Sequence, residues 1–195
     1  MRLLEKLRSQ PGWQDDDPMV RIEAVRGLPE DEDTDSVFLD VARGDVDARV
    51  RRVAVERITG LNALVSLIQD SGVDTKTRRF AADGVREAVI RMKNSDDWSS
   101  ALGVLTDEQD FGSIARLAEI ESIGLAALER VQNDKTLGAV ARKAKHLVVA
   151  LEAIRRLKDL PELISVAIKV DDKAVALAAY EQLMADTNVD TATLD

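Results

Sequence analysis

Residues 50–58 read Val-Arg-Arg-Val-Ala-Val-Glu-Arg-Ile, and the frame inside them, Val50–Ala54–Ile58, decides the fold. An apolar or β-branched residue is followed four positions later by alanine, and four later again by a large aliphatic. That spacing places all three on one face of a helix. The figure returns at Val20–Ala24–Leu28, Thr77–Ala81–Val85, Ile123–Ala127–Val131, Val149–Ala153–Leu157 and Val175–Ala179–Leu183. The step is 26 residues from Ala127 to Ala153 and from Ala153 to Ala179, and 27 from Ala54 to Ala81. A period of this size marks a stacked-repeat protein. Alanine at the centre of each frame lets neighbouring helices approach closely.

Between the frames lie shorter apolar segments, Leu61–Leu64–Leu67–Ile68, Phe111–Ile114–Leu117–Ala118 and Leu160–Leu163–Ile164–Ala167. Each repeat therefore reads as two helices, neither able to bury its apolar stripe alone. Asp17 before Pro18 offers an N-cap followed by proline at the first helical position. Asp47, Thr75, Asp134 and Asp172 stand at comparable entries. Apolar residues recur at three and four, not at two, and no Asn-Gly or Asp-Gly turn joins alternating runs, so strands are not expected.

The 195 residues are 45% hydrophobic and 32% charged, the balance of a folded chain, and only 3% aromatic. A net charge of −9 works against general affinity for nucleic acid or anionic membranes, which require a positive field. The charge is uneven. Residues 1–95 hold 16 Lys/Arg against 18 Asp/Glu, and residues 96–195 hold 11 against 18. With no cysteine there is no thiolate metal site, disulfide or cysteine nucleophile. The opening MRLLEKLRSQ lacks the apolar core of a signal peptide, and no apolar run matches a membrane span, so the expected location is the cytoplasm.

Two places break the regularity. Glu30 to Asp35 forms an acidic connection before Val37–Phe38–Val41. After Val85 a long helical run reaches about Lys93, Asn94 to Asp97 interrupts it, and Trp98–Leu102–Leu105 follows. Ala101 lies 26 residues before Ala127 but only 20 after Ala81, which implies a shortened or fused second helix in the third repeat. The expected division is a first block over 1–95, rich in arginine, and an acidic second block over 96–195, hinged near 94–97. From Met184 onward the stripe is lost and a polar tail is expected.

At DDDPMVRIEAVRGL (residues 15–28) and DVDARVRRVAVERI (45–58) the chain resembles the short HEAT-like repeats of bilin-lyase-type proteins. There, Asp-x-Asp-x-x-Val-Arg-x-x-Ala opens the first helix. Gly12-Trp13-Gln14 is similar to the start of repeat regions in a bacterial family of unknown function. Later repeats such as DDKAVALAAYEQL (171–183) keep the apolar frame and lose the Val-Arg pair. The resemblance implies an all-α fold, an α-α superhelix of about six to seven antiparallel helix pairs, with a scaffolding or binding role. It is specific for fold and not for function. Iron-binding relatives use His-Glu pairs in several repeats, and none occur here.

Few residues suggest chemistry. Asp31, Asp33 and Asp35 have the alternation of a calcium loop, but its glycine and glutamate positions hold Ser36 and Ala42, so a solvated acidic loop is expected. His146 is the only histidine, among Lys143, Lys145 and Leu147, and reads as a half-packed helical residue. Arg21, Arg51 and Arg78 share one repeat position. They suggest either a row for phosphate or acidic peptide, or an internal ladder paired with aspartates such as Asp17 or Asp47, and the ladder is the expected reading. Trp13 and Trp98 are expected to pack at the array's start and at its break. No cofactor, metal or catalytic set is expected. The expected activity is non-catalytic capture of a protein partner on the face of the second helices, where Asn62, Ser66, Gln109, Ser113, Arg116, Glu162 and Ser165 would point outward. Arg49, Arg52 and Arg57 supply the positive charge for the rival, nucleic-acid reading.

Overall fold

The computed structural model describes residues 11–29, 32–94 and 98–192. The ten N-terminal residues, Glu30, Asp31, Ser95 to Asp97 and Thr193 to Asp195 lie outside the described residues, and with them the start of the acidic connection and most of the expected hinge near 94–97. Among those described there are twelve α-helices, one short 3-10 turn at Gly12–Gln14 and no strand. Successive helices pack as pairs, the arrangement of an α-α superhelix, as the repeat implies. Contacts divide the chain into two units, between Val85 and Arg86.

The first unit holds α1 (Pro18–Gly27), α2 (Glu32–Gly44), α3 (Ala48–Arg57), α4 (Leu61–Gln69) and the first part of α5 (Thr75–Arg91). Helix α3 packs on both α1 and α2, and α2 on α4. Asp17 and Asp47 cap α1 and α3 by accepting from the backbone N–H groups of Met19 and Arg49. At α5 the cap is Asp74 and not Thr75: its carboxylate accepts from Lys76 N, Thr77 N and the Thr77 hydroxyl. The frames Val50–Ala54–Ile58 and Thr77–Ala81–Val85 are buried. Val20 is not, at 43% exposed, and Ala24 is half-buried. In this first repeat the α1 stripe meets the Gly12–Gln14 turn where later repeats meet a preceding helix. The buried face of α1 is instead Arg21, Ile22 and Val25.

The second unit continues from Arg86 and holds α6 (Trp98–Val104), α7 (Glu108–Leu117), α8 (Glu121–Leu128), α9 (Asp134–Lys143), α10 (Leu147–Arg156), α11 (Leu160–Lys169) and α12 (Lys173–Ala192). The pairs are α7 with α8, α9 with α10, and α11 with α12. First helices α8, α10 and α12 stack in one row, and second helices α7, α9 and α11 in another. Ala101 and Leu105 are buried, like Ala127 and Val131 one repeat later. The helix that starts at Asp134 is a second helix rather than a first one, and Asn133 caps it, accepting from Lys135 N and Thr136 N. Its Leu137–Val140–Ala141 spacing is as regular as a frame, so periodicity did not separate the two roles. Helix α12 does not end at Met184. No glycine or proline interrupts the following residues, and it runs to Ala192.

The fused second helix of the third repeat is visible in α5. Its first part carries the Thr77–Ala81–Val85 frame of the first unit. Its last turns occupy the place of a second helix in the other unit: Glu119 N donates to Ile90 O (3.0 Å), and Lys145 N donates to Arg116 O (2.9 Å). Both partners of the first bond, shifted by 26 residues, give the second. One continuous helix therefore absorbs the change of phase.

Candidate binding surface

Several of the polar residues named from sequence tie one repeat to the next. Arg21 and Asp45 form a two-point pair at 2.7 and 2.8 Å with both side chains nearly buried, and Arg21 also donates to Asp15 O and Asp16 O. Arg51 is its counterpart one repeat on, through a single, more exposed contact of Nε with Asp74 at 3.1 Å, and it donates to Asp45 O and Val46 O. The internal ladder thus exists at two rungs, with aspartates at the entrance of the next repeat in place of Asp17 and Asp47. Arg78 departs from it; its Nε is buried without a hydrogen-bond partner.

A second tie lies one residue before the last member of three frames. Arg57 donates to Leu28 O, Arg156 to Leu128 O and Val131 O, and Gln182 to Leu157 O. Each satisfies a carbonyl at the C-terminal end of the preceding first helix, where intrahelical donors run out. Arg57 also stacks 5.8 Å from the Phe38 ring, and Arg130, in the same register of the second unit, 5.1 Å from Phe111.

A third tie uses acids in the first turn of the second helices. Asp35 accepts from Gly60 N (2.7 Å) and Thr59 N (3.1 Å). Glu108 accepts from Asn133 N (2.7 Å) and Gln132 N, and Asp134 from Lys158 N (3.0 Å). Asp35 is buried, so it belongs to the repeat junction and not to a solvated loop; α2 already begins at Glu32. His146 has a similar task. It stands at the N-cap of α10, half-buried, with Nε2 3.0 Å from Ala118 O.

What remains at the surface falls into separate places. Arg49 is exposed and bonded to Asp47, whose carboxyl that hydrogen bond, with the Arg49 backbone N–H, lowers to about 2. Arg52 is exposed, paired with Glu56 at 2.7 Å and stacked on Phe80. Asn62 is exposed on the neighbouring α4, where Ser66 bonds Ala63 O and accepts from Arg43. Glu162 and Ser165 both meet Arg142. Gln109, Ser113 and Arg116 come together in a polar groove of about 240 Å³ between α7 and α9 that Lys135 and Thr136 complete. Trp13 lines a cleft with Val37, Asp40 and Val41 at the start of the first unit, and Trp98 opens α6 half-buried.

A larger groove, about 500 Å³, crosses α8 and α10. Leu125, Leu128, Val148 and Leu151 line it, and Glu129, Glu152, Arg155 and Arg156 rim it. Val148 is 48% exposed there. The Arg155 side chain bonds Glu152 at 2.6 and 2.8 Å and holds its carboxyl below the ordinary value, so the rim is an ion pair at neutral pH. Sequence reading missed this groove because it assigned the first helices to the core. The available signal was the apolar residues off the frame, Leu125, Val148 and Leu151. Among the described residues no cluster of three or more His, Cys, Asp or Glu is arranged to hold a metal ion, and no helix is long and apolar enough to cross a membrane. Compared with family models, curated proteins and solved structures, the chain matches none.

Proposed function

We propose that the chain is a non-catalytic scaffold or adaptor, a HEAT-like array that captures a protein partner on an extended surface. The observation that carries this reading is the α8–α10 groove, an apolar floor with a half-exposed Val148 inside a charged rim. Such a site suits one or two apolar anchors of a partner, with the rim setting orientation and charge preference. The polar groove between α7 and α9 would extend the contact across the second-helix face. The non-catalytic reading draws on the polar side chains themselves: many of those brought close to one another serve as helix caps, ion pairs within one helix or inter-repeat ties.

The rival reading, a nucleic-acid backbone held by the first block, has less to draw on. Arg21, Arg51 and Arg57 donate to partners inside the fold, and Arg49 and Arg52 are paired with carboxylates. The test is affinity capture by the intact chain, Val148→Asp and the double variant Arg49→Glu/Arg52→Glu, with circular dichroism confirming folding. Loss of the partner with Val148→Asp alone supports the proposal. A partner retained by Val148→Asp counts against the groove. A low-salt gel shift with a short duplex or RNA, abolished by the double variant, would favour the rival.

A further inference from the structure

One arginine position recurs in three of the second helices, eight residues after the acid that holds the next helix start: Arg43 in α2, Arg116 in α7 and Arg142 in α9. Two of the three meet the following second helix in the same way. Arg43 pairs with Asp70 at 3.2 Å and donates to the Ser66 hydroxyl, and Arg142 pairs with Glu162 at 2.9 Å and donates to the Ser165 hydroxyl. Arg116 finds neither partner on α9. In that helix Ala139 stands in the register of Ser66 and Ser165, Thr136 in that of Glu162, and Lys143 in that of Asp70. Arg116 turns back on its own helix, donating to Gly112 O (3.2 Å) and the Ser113 hydroxyl (3.3 Å), and its Nη1 has no partner among the described residues. The polar groove of about 240 Å³ opens at this place. Gln109, Ser113, Arg116, Lys135 and Thr136 line it with no carboxylate, in the half of the chain where acids outnumber bases by 18 to 11. Glu108 and Asp134, at the starts of the two helices, are turned to backbone N–H groups.

We propose that this groove takes a glutamate or aspartate side chain of the protein partner, supplying the carboxylate that its own repeat omits. The inference rests on the scaffold reading above and names the partner's chemistry at this place. The following repeat displays the filled state. There the Glu162 carboxylate accepts from Arg142 Nη1 and sits over Gly138, where an added Cβ would lie 2.5 Å from Glu162 Oε2. Gly112 leaves the same space beside Thr136, whose shorter side chain carries no charge. A carboxylate entering from outside meets the free Nη1 of Arg116, with exposed Lys135 adding a second positive charge and the Thr136 hydroxyl a further donor. The planar guanidinium suits the two oxygens of a carboxylate. A nucleic-acid backbone suits the place less, since its successive phosphates would have to run on over an acidic half of the chain.

Amide and arginine side-chain NMR of the intact chain, titrated with the end-capped peptide Gly-Glu-Glu-Gly, tests the proposal. Shifts are expected at Ser113, Thr136 and Arg116 Nε–H, half-saturating on the order of a millimolar, and absent with Gly-Gln-Gln-Gly. Arg116→Gln and, at an exposed position, Lys135→Gln are each expected to weaken binding about tenfold with unchanged helical dichroism. Thr136→Glu places a carboxylate where Glu162 stands one repeat later. It is expected to abolish probe binding and to carry the Arg116 Nε–H signal of the free chain toward its probe-bound position. No shift at these groups up to about ten millimolar peptide would overturn the proposal. So would a response untouched by Thr136→Glu, or a Gly-phosphoserine-Gly probe bound more than about tenfold tighter, which would assign the groove to phosphate. If the probe fails while Val148→Asp still abolishes partner capture, this assignment falls and the scaffold reading stands. If the probe binds as expected while capture ignores Val148→Asp, the scaffold reading loses its apolar groove and the carboxylate site remains.

Discussion

Asp35 holds the N-terminus of a helix that is not its own. Its carboxylate accepts from Gly60 N and Thr59 N, which begin α4, while the residue itself lies in the first turn of α2. Replacing it with alanine leaves two backbone donors at a buried junction without an acceptor. Asp35→Ala is expected to destabilise the chain by about 2 kcal/mol in urea unfolding, with Asp35→Asn recovering part of the loss. In sequence Asp35 stands inside a run of acids, and its partners are backbone N–H groups that no side chain announces; that role was not legible. Asp47 makes a different prediction. Its carboxyl titrates at about 2 in the folded chain because the Arg49 side chain and backbone bond its charged form. A depressed folded value means its contribution to stability is full above the ordinary value near 3.8 and is lost as pH falls from there through about 2. Carboxyl-carbon NMR should place its midpoint at about 2 and show an upward move in Arg49→Ala. An unmoved midpoint would remove Arg49 as the cause.

Helices in this chain are fitted to their successors at single positions, and α7 shows how closely. A Cβ added at Gly112 would lie 2.4 Å from Cγ2 of Thr136 on α9. Thr136 is β-branched and stiff, so Gly112→Ala is expected to cost about 1–3 kcal/mol despite the better helix propensity of alanine. Thr136→Ser removes the offending methyl, and the double variant is expected to regain most of that stability in a denaturant titration. Full additivity of the two substitutions would contradict the close approach. The frames themselves were readable, since an i, i+4, i+8 stripe has one meaning for a helix, and Asp17, Asp47 and Asp172 cap the helices expected of them. The helix at 134–143 was readable as a helix but not as a second helix. Its apolar spacing matches a first helix, and only its partners tell them apart. The α8–α10 groove was illegible for a related reason: spacing says which residues share a face, not how far two helices part above it.

Over the whole molecule the repeat is a set of backbone and side-chain ties recurring at one step, more than a recurring apolar frame. The carbonyl of one first helix, the N-terminus of one second helix and the entrance loop of the next repeat are each satisfied by a neighbour's side chain. Within α5 the step changes phase without a break in the helix, which is why Ala81 and Ala101 are only 20 residues apart. Such arrays couple nearest neighbours, so damage to one tie should remain local. Amide hydrogen exchange tests this most directly, at groups that open a helix and so lack intrahelical acceptors. Gly60, Asn133 and Lys158 N–H are expected to be protected, and Glu108→Ala is expected to abolish protection at Gln132 and Asn133 while leaving Gly60 and Lys158 slow. If those amides exchange as fast in the unaltered chain as solvent-facing N–H groups, the ties between repeats do not hold the fold together.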